Sequence, residues 1–326
     1  MAAGERSHGL TRRHGLALGL SAAAAVCRPF AAATAPRRYV LDPVRIAEGV
    51  WTVYGAQEAI TAENGGAIAN VTLLDTREGC VLIDAGPSHR FGTALDALAR
   101  DLTGKPVVRV YLTHLHADHS LGATAFPDTV LWAGPGLRTD LARFGNDLAS
   151  GMYRVAGDWM RGTGVPKPAM EAREGAEDVG GRRFRLLRLS GHTREDLCLF
   201  EEASGLLFPG DLVFLDRAAT TPDADLPRWR TALRTIADIP CGLLVPGHGP
   251  AEAGRRGIDQ TLAWLDAVEA GIGAGFELGL DVTEIMARPL PDWADGIAVA
   301  RYEYARSVMH LLPEIEADRL PNLSAL

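Results

Sequence analysis

Six consecutive positions, His114-Leu115-His116-Ala117-Asp118-His119, hold three of the chain's nine histidines together with an aspartate. Imidazole and carboxylate at that density are costly to bury unpaired. They are also the side chains that bind zinc and related ions when no cysteine is at hand. On an extended segment positions 114 and 116 point the same way, so both can reach one ion. A turn at Asp118-His119 redirects the next two side chains towards a neighbouring position. Further along, His192, Asp211 and His248 each stand beside a glycine, whereas His89 and His310 lie away from such loops. Seven candidate ligands suffice for two ions and are too many for one.

The elements that must carry them follow one grammar. "GVWTVYG" and "AIANVTLLDT" read as strands joined through a turn at Asn64-Gly65-Gly66. "GCVLIDAGPS" is a short apolar strand ending in Asp84, and "FGTALDALARDL" has helical spacing with Leu95, Leu98 and Leu102 on one side. "VVRVYL" (107–112) runs directly into the histidine cluster. "FRLLRLSGHT", "GLLFPGDLVF" and "CGLLVPGHGP" then predict strands that end at His192, Asp211 and His248. Ligands placed at strand ends can converge on one edge of a sheet, with glycine letting the loop backbones pack closely. From about residue 255 onward the pattern turns helical, through "GIDQTLAWLDAVEAGIGAGF" and "VARYEYARSVMHLLPEIEADRL". This tail is expected to cover the sheet, with Pro313 kinking or ending the last helix.

Bulk properties narrow the field. The 326 residues are 47% hydrophobic and 23% charged, ordinary values for a globular protein. The net charge of −8 becomes more acidic once the arginine-rich first 35 residues are set aside. Nucleic acid is therefore excluded as a partner, because phosphate binding needs a basic surface. Residues 1–35 read as an address label: "TRRHGLALGLSAAAAV" joins an arginine pair to a short apolar run, and "ATA" suits small-residue cleavage. That pattern resembles a twin-arginine export signal, which implies a periplasmic protein. The run is too short for a permanent membrane span. Cys27 follows a poor lipoprotein signal, so cleavage rather than lipidation is expected. Cys80, Cys198 and Cys241 remain, an odd number from which no disulfide framework follows. Residues 36–326 are read as one body.

His114-x-His116-x-Asp118-His119, followed by separate His192, Asp211 and His248, resembles the metallo-β-lactamase superfamily over roughly residues 45–250. The resemblance implies an α/β fold, a four-layered αβ/βα sandwich with a dinuclear site at the sheet edge. It implies that His114, His116 and His192 hold a first metal, that Asp118, His119 and His248 hold a second, and that Asp211 bridges them. Asp84, in the family's Asp-x-Gly strand end, is implied as the partner that orients a ligand histidine. Two zinc ions about 3.5 to 4 Å apart share a water and lower its pKa towards ~7. The bridging hydroxide so formed would cleave an ester, thioester, lactone or amide in a small-molecule substrate, with Asp118 orienting it or shuttling its proton. The aspartate at 211 matches glyoxalase II-like and lactonase-like hydrolases, so β-lactam hydrolysis is not the default expectation. A persulfide dioxygenase-like member would use similar residues around a single iron.

A narrower resemblance, carried by "ITAENGGAIANV", "IDAGPS", "MYRVAGDWMRGT", "GDLVFLDRAATTPDAD" and "RSVMHLLP", is to the quinoprotein relay system zinc metallohydrolases. It implies an exported hydrolase with a functional link to pyrroloquinoline quinone-dependent dehydrogenases. The reading from a different class is a non-hydrolytic accessory protein that binds metal or a quinone-related ligand. "GDWMRGTGVP" (157–166) is either a lid placing Trp159 and Met160 over the metals or a packed surface loop. Asp223 and Asp225 either reach the substrate or, the preferred reading, are solvated turn residues, and Tyr302, Tyr304 and His310 are read as packing or surface groups. Homodimerisation through the helical tail is left open.

Overall fold

The computed structural model describes residues 38–319; the signal segment expected over 1–35, and Cys27 with it, lie outside the described residues. Seven strands form the first sheet in sequence order: β1 (Pro43–Ala47), β2 (Val50–Val53), β3 (Val71–Asp75), β4 (Cys80–Ile83), β5 (Val107–Tyr111), β6 (Leu131–Ala133) and β7 (Met170–Glu171). Five form the second: β8 (Gly175–Val179), β9 (Arg182–Leu189), β10 (Asp196–Glu201), β11 (Leu206–Phe214) and β12 (Leu243–His248), in the order β12-β11-β10-β9-β8. β4 lies parallel to β5, and β11 parallel to β12. Strands such as β4 and β11 are apolar runs without alternation because both of their faces are buried.

The helices are α1 (His89–Thr103), α2 (Ala117–Ser120), α3 (Pro135–Ala156), α4 (Leu226–Ala237), α5 (Arg256–Glu277), α6 (Val282–Ala287) and α7 (Ala300–Arg319). α1 starts where the Ser88 hydroxyl accepts the Phe91 N–H and stops at Gly104, whose φ of 70° is the left-handed cap. Leu95 and Ala99 of α1, with Leu137 and Leu141 of α3, cover the outer face of the first sheet. Leu74, Val81 and Tyr111 meet Phe184, Leu199 and Phe208 between the sheets. On the far side Trp229 of α4, Trp264 of α5 and Tyr304 of α7 pack in one cluster with Leu207 and Phe214 of β11. Burying each such side chain contributes about 2–3 kcal/mol. The layers are therefore helix, sheet, sheet, helix, the expected αβ/βα sandwich with its last helices on the outer face of the second sheet.

Two expectations are corrected. Pro313 does not end the last helix, which continues to Arg319. Asp211 does not follow a strand end: β11 runs through it to Phe214. The register against β12 shifts between Leu207 and Gly210 and again between Gly210 and Phe214. Gly210, at φ 55°, permits this bulge, which re-aims the next side chain while pairing continues. Gly247 has a matching reason, since a Cβ there would lie 1.9 Å from Asp211 Oδ1.

Among the described residues no helix is long and apolar enough to cross a membrane. Cys80, Cys198 and Cys241 are all free thiols.

Candidate metal centre

The C-terminal ends of the two parallel pairs deliver the site. Asp84 follows β4, residues 113–119 follow β5, and His248 ends β12. The turn between β9 and β10 supplies His192. The ligand atoms gather as two groups, His114, His116, His192 and Asp211 in one and Asp118, His119 and His248 in the other, with the atoms of each group within 4.8 Å of one another. Asp211 touches both. Its Oδ2 lies 3.3 Å from His192 Nε2 and 3.7 Å from His114 Nε2. It also lies 3.3 Å from His248 Nε2, and Oδ1 is 3.0 Å from His119 Nε2. All seven side chains that the sequence singled out thus converge.

Four of the five imidazoles are held by their other nitrogen, whereas His192 Nδ1 is buried without a partner among the described residues. His119 Nδ1–H donates to Asp84 at 2.7 Å, and His248 Nδ1–H donates to the Ile68 carbonyl at 2.8 Å. His114 Nδ1–H donates to the Thr113 hydroxyl at 2.9 Å, and that hydroxyl donates to Asp84 at 2.8 Å. His116 Nε2–H donates to Asp223 at 2.9 Å. Acceptors at these positions turn Nε2 of 114, 119 and 248 and Nδ1 of 116 inward, where each offers a lone pair once any proton on it is displaced. His114 Nε2 is buried with no hydrogen-bond partner. His119 and His248 bring their Nε2 atoms to 3.3 Å. Ring nitrogens and carboxylates crowded together in this way suit a cation, so the residues fit the metals that the ligand set implies.

Asp84 stands in the position expected of an orienting carboxylate, and reaches both groups. It is buried at φ 62°, a left-handed conformation that aspartate tolerates but rarely adopts. Behind His248 stacks Phe214, with ring centroids 5.1 Å apart, and Trp229 meets His192 edge-on at 5.0 Å. The His192 turn is tied by Asp196, whose carboxylate accepts the N–H groups of His192 and Thr193 and the Thr193 hydroxyl. Asn70, just before β3, ties the first sheet to β12 and the residue after it, donating to the carbonyls of Pro246 and Gly249 at 2.8 and 2.7 Å. Thr113, Asn70 and Asp196 escaped the sequence reading. Thr113, beside the first ligand, is the one whose position carried a local signal.

Charge differs between the groups in the metal-free protein. Burial, reinforced by the neighbouring His119, holds His114 well below the ordinary imidazole range, and burial brings His192 down to about 3. For His116 burial opposes protonation, and the Asp223 hydrogen bond and charge overcome it, raising the pKa. His119 is raised well above the usual value, because Asp211, Asp84 and Asp118 outweigh its desolvation. Asp118 and Asp211 are lowered despite burial, each chiefly by His119, so both remain ionised at neutral pH.

A cavity of about 670 Å³ opens over the cluster, lined by His116, Asp118, Asp211 and His248 among others. The structure adds roles to several residues that the sequence left on the surface. Asp223 is an exposed turn residue, as read, but it also binds His116 and lines the cavity. Asp225 instead caps α4, accepting the Arg228 N–H. Tyr304 is buried and His310 exposed, as expected, but Tyr302 lines the cavity. Of the two readings of 157–166, the packed one holds. Trp159 is 8% exposed, donates to the Ala62 carbonyl at 2.9 Å and lies against Tyr39 with centroids 4.4 Å apart. It braces the loop that ends at Ile68, whose carbonyl accepts from His248 Nδ1.

A family model described as the metallo-beta-lactamase superfamily matches residues 64–248. A lactamase-like protein of Aspergillus niger is 27% identical over 184 residues, 55% of this chain and 49% of its own. An atrochrysone carboxyl ACP thioesterase of Paecilomyces divaricatus is 26% identical, covering 55% of this chain and 50% of its own. An acyl-coenzyme A thioesterase of Bos taurus is 25% identical, over 45% of this chain and 58% of its own. The chain thus spans about half the length of the first of these relatives. Among solved structures, a metallo-beta-lactamase from Pontibacter korlensis superposes with a TM-score of 0.55 at 22% identity, covering 70% of this chain and 99% of that one. The mono-zinc form of the FIM-1 enzyme from Pseudomonas aeruginosa gives 0.55 at 21%, covering 71% and 97%. At such identities the likeness is one of fold.

Proposed function

This chain belongs to the metallo-beta-lactamase superfamily, and from that premise we propose that it is a metal-dependent hydrolase with two metal positions joined by Asp211. The bond cleaved is that of an ester, thioester, lactone or amide. The observation that carries this reading is the reach of Asp211, whose oxygens approach His114 and His192 of one group and His119 and His248 of the other. A protein that only stored a metal would need no carboxylate shared in this way. Zinc is the proposed ion, and iron in a single position is the rival.

Two divalent ions held there would polarise the attacked carbonyl and acidify the attacking water. The chain's own residues do the rest. Asp84 and Thr113 hold protons at Nδ1 of His119 and His114, so that Nε2 of each stays a lone pair. Asp118 lines the cavity with an ionised carboxylate whose Oδ2 lies 3.4 Å from His248 Nε2. Asp118 Oδ2 takes a proton from the attacking water and passes it to the departing alkoxide, thiolate or amine. Phe214 and Trp229 close the site from behind. Relatives named as acyl thioesterases support esters and thioesters as the first substrates to try.

Twin-arginine export to the periplasm, and service to quinoprotein dehydrogenases, extend the proposal on the sequence patterns already quoted. The test is elemental analysis of the purified protein beside a survey of esters, thioesters and lactones. Two zincs per chain, with hydrolysis lost to a chelator and restored by zinc, is the expected result. One iron per chain would overturn the two-metal reading, and a metal-loaded protein inert across the survey would favour the accessory role.

A further inference from the structure

The cavity is built from opposite layers of the sandwich, and the two contributions differ in chemistry. α3 presents Phe144, Leu148, Met152 and Val155 to it, positions three and four apart that share one side of a helix. At 1.5 Å per residue this apolar line is about 16 Å long. Ile60 and Ile68, from the loop before β3, continue the same lining. Phe144 and Leu148 are only half-buried and Val155 is 47% exposed. Apolar surface that a core would cover is thus left open beside a group of ionised ligands. α7, from the other layer, supplies Tyr302, Glu303 and Arg306, with Arg306 paired to Glu303 at 2.9 Å. Charge on this side is compensated locally. The α3 side has an acid at each of two positions, Asp140, which is buried and paired with Arg194, and Asp147, which is exposed.

We propose that the α3 line is an acyl subsite, so that the substrate is an ester or thioester of an extended, apolar acyl group of medium length. This rests on the hydrolase reading and narrows its substrate class. A polar arm lying against Phe144, Leu148 and Met152 would lose water without gaining partners there, at a cost that apolar surface does not incur, and an anionic one would also meet Asp147. The acyl carbon then sits at the ligand cluster, with the leaving group towards Tyr302 and Arg306. Water adds to that carbon, the C–O or C–S bond breaks, and the alcohol or thiol leaves with a proton. The acyl arm remains as a carboxylate.

The product gives the direct probe. Saturated carboxylates from acetate to dodecanoate are titrated calorimetrically into the zinc-loaded protein, and turnover of phenyl acetate is measured separately. Affinity should rise about three- to four-fold per added methylene along the apolar line, and should fall sharply in chelator-stripped protein. Leu148→Asp should flatten the dependence, and Leu148→Met, which conserves volume, should keep it. Affinity independent of length, or unchanged by stripping, overturns the acyl subsite even if phenyl acetate is hydrolysed. A steep, metal-dependent rise with no hydrolysis of any ester or thioester sustains the subsite and fails the hydrolase reading instead.

Discussion

The two halves of the site keep their histidines ready by different means. In the first, His114 and His192 are buried and held neutral, backed by a hydroxyl and by the Trp229 ring. In the second, His119 sits among Asp84, Asp118 and Asp211 and holds a proton that an ordinary imidazole would have released. A metal entering the first half finds His114 Nε2 without a partner and His192 Nε2 at 2.9 Å from His116 Nδ1. One entering the second must displace a proton, which has been standing in for it by neutralising the carboxylates. The positions are therefore unequal, and only Asp211 and Asp84 belong to both.

Breaking what they share should cost most. Asp211→Ala removes the joining carboxylate and should lower hydrolysis by more than the 10–100-fold typical of an outer partner, as read by kcat/KM. Asp84→Asn should cost about 10–100-fold and weaken both positions, as read by metal retained after dialysis. Thr113→Val keeps the shape but leaves His114 Nδ1 without its acceptor. Its cost should be about 10-fold, confined to the first position. Asp223→Asn should cost less, since the carboxylate it replaces is 56% exposed and water can take its place. It too should act on the first position alone.

Acid should separate the halves without any mutation. Protons compete with metal for the same lone pairs, so occupancy falls as pH falls. The raised pKa of His119 brings that competition in at higher pH than at His114 or His192, whose pKa values are lowered. His116, raised by Asp223, is the exception in its group. Metal per chain should step from two to one as pH falls, with the Asp118–His119–His248 position emptying first. Asp223→Asn should widen the gap slightly. Loss of both ions together would contradict the difference between the halves.

The ligands were legible because their types are distinctive and four of the seven fall within His114–His119. The layers were legible because strands buried on both faces leave apolar runs, as in Cys80–Ile83. What could not be read were partnerships across the fold. Asn70 meets Gly249 across 179 positions, and Asp223 meets His116 across 107. An acid before a helix looks the same whether it caps that helix, as Asp225 does, or reaches a ligand, as Asp223 does. Helical spacing likewise marked the tail, but not which of its residues face the cavity, so Tyr302 and Tyr304 looked alike. The course of β11 through Asp211 depends on a bulge at Gly210, and a glycine beside a ligand reads equally as a strand end.

The most direct test of a joined pair of unequal positions is a calorimetric zinc titration of chelator-stripped protein, wild type beside Asp211→Ala. Two equivalents in the wild type, in two resolved steps of which the weaker releases a proton, are expected, with the variant taking up no more than one. A single equivalent in the wild type, or two retained by the variant, would contradict the pairing through Asp211.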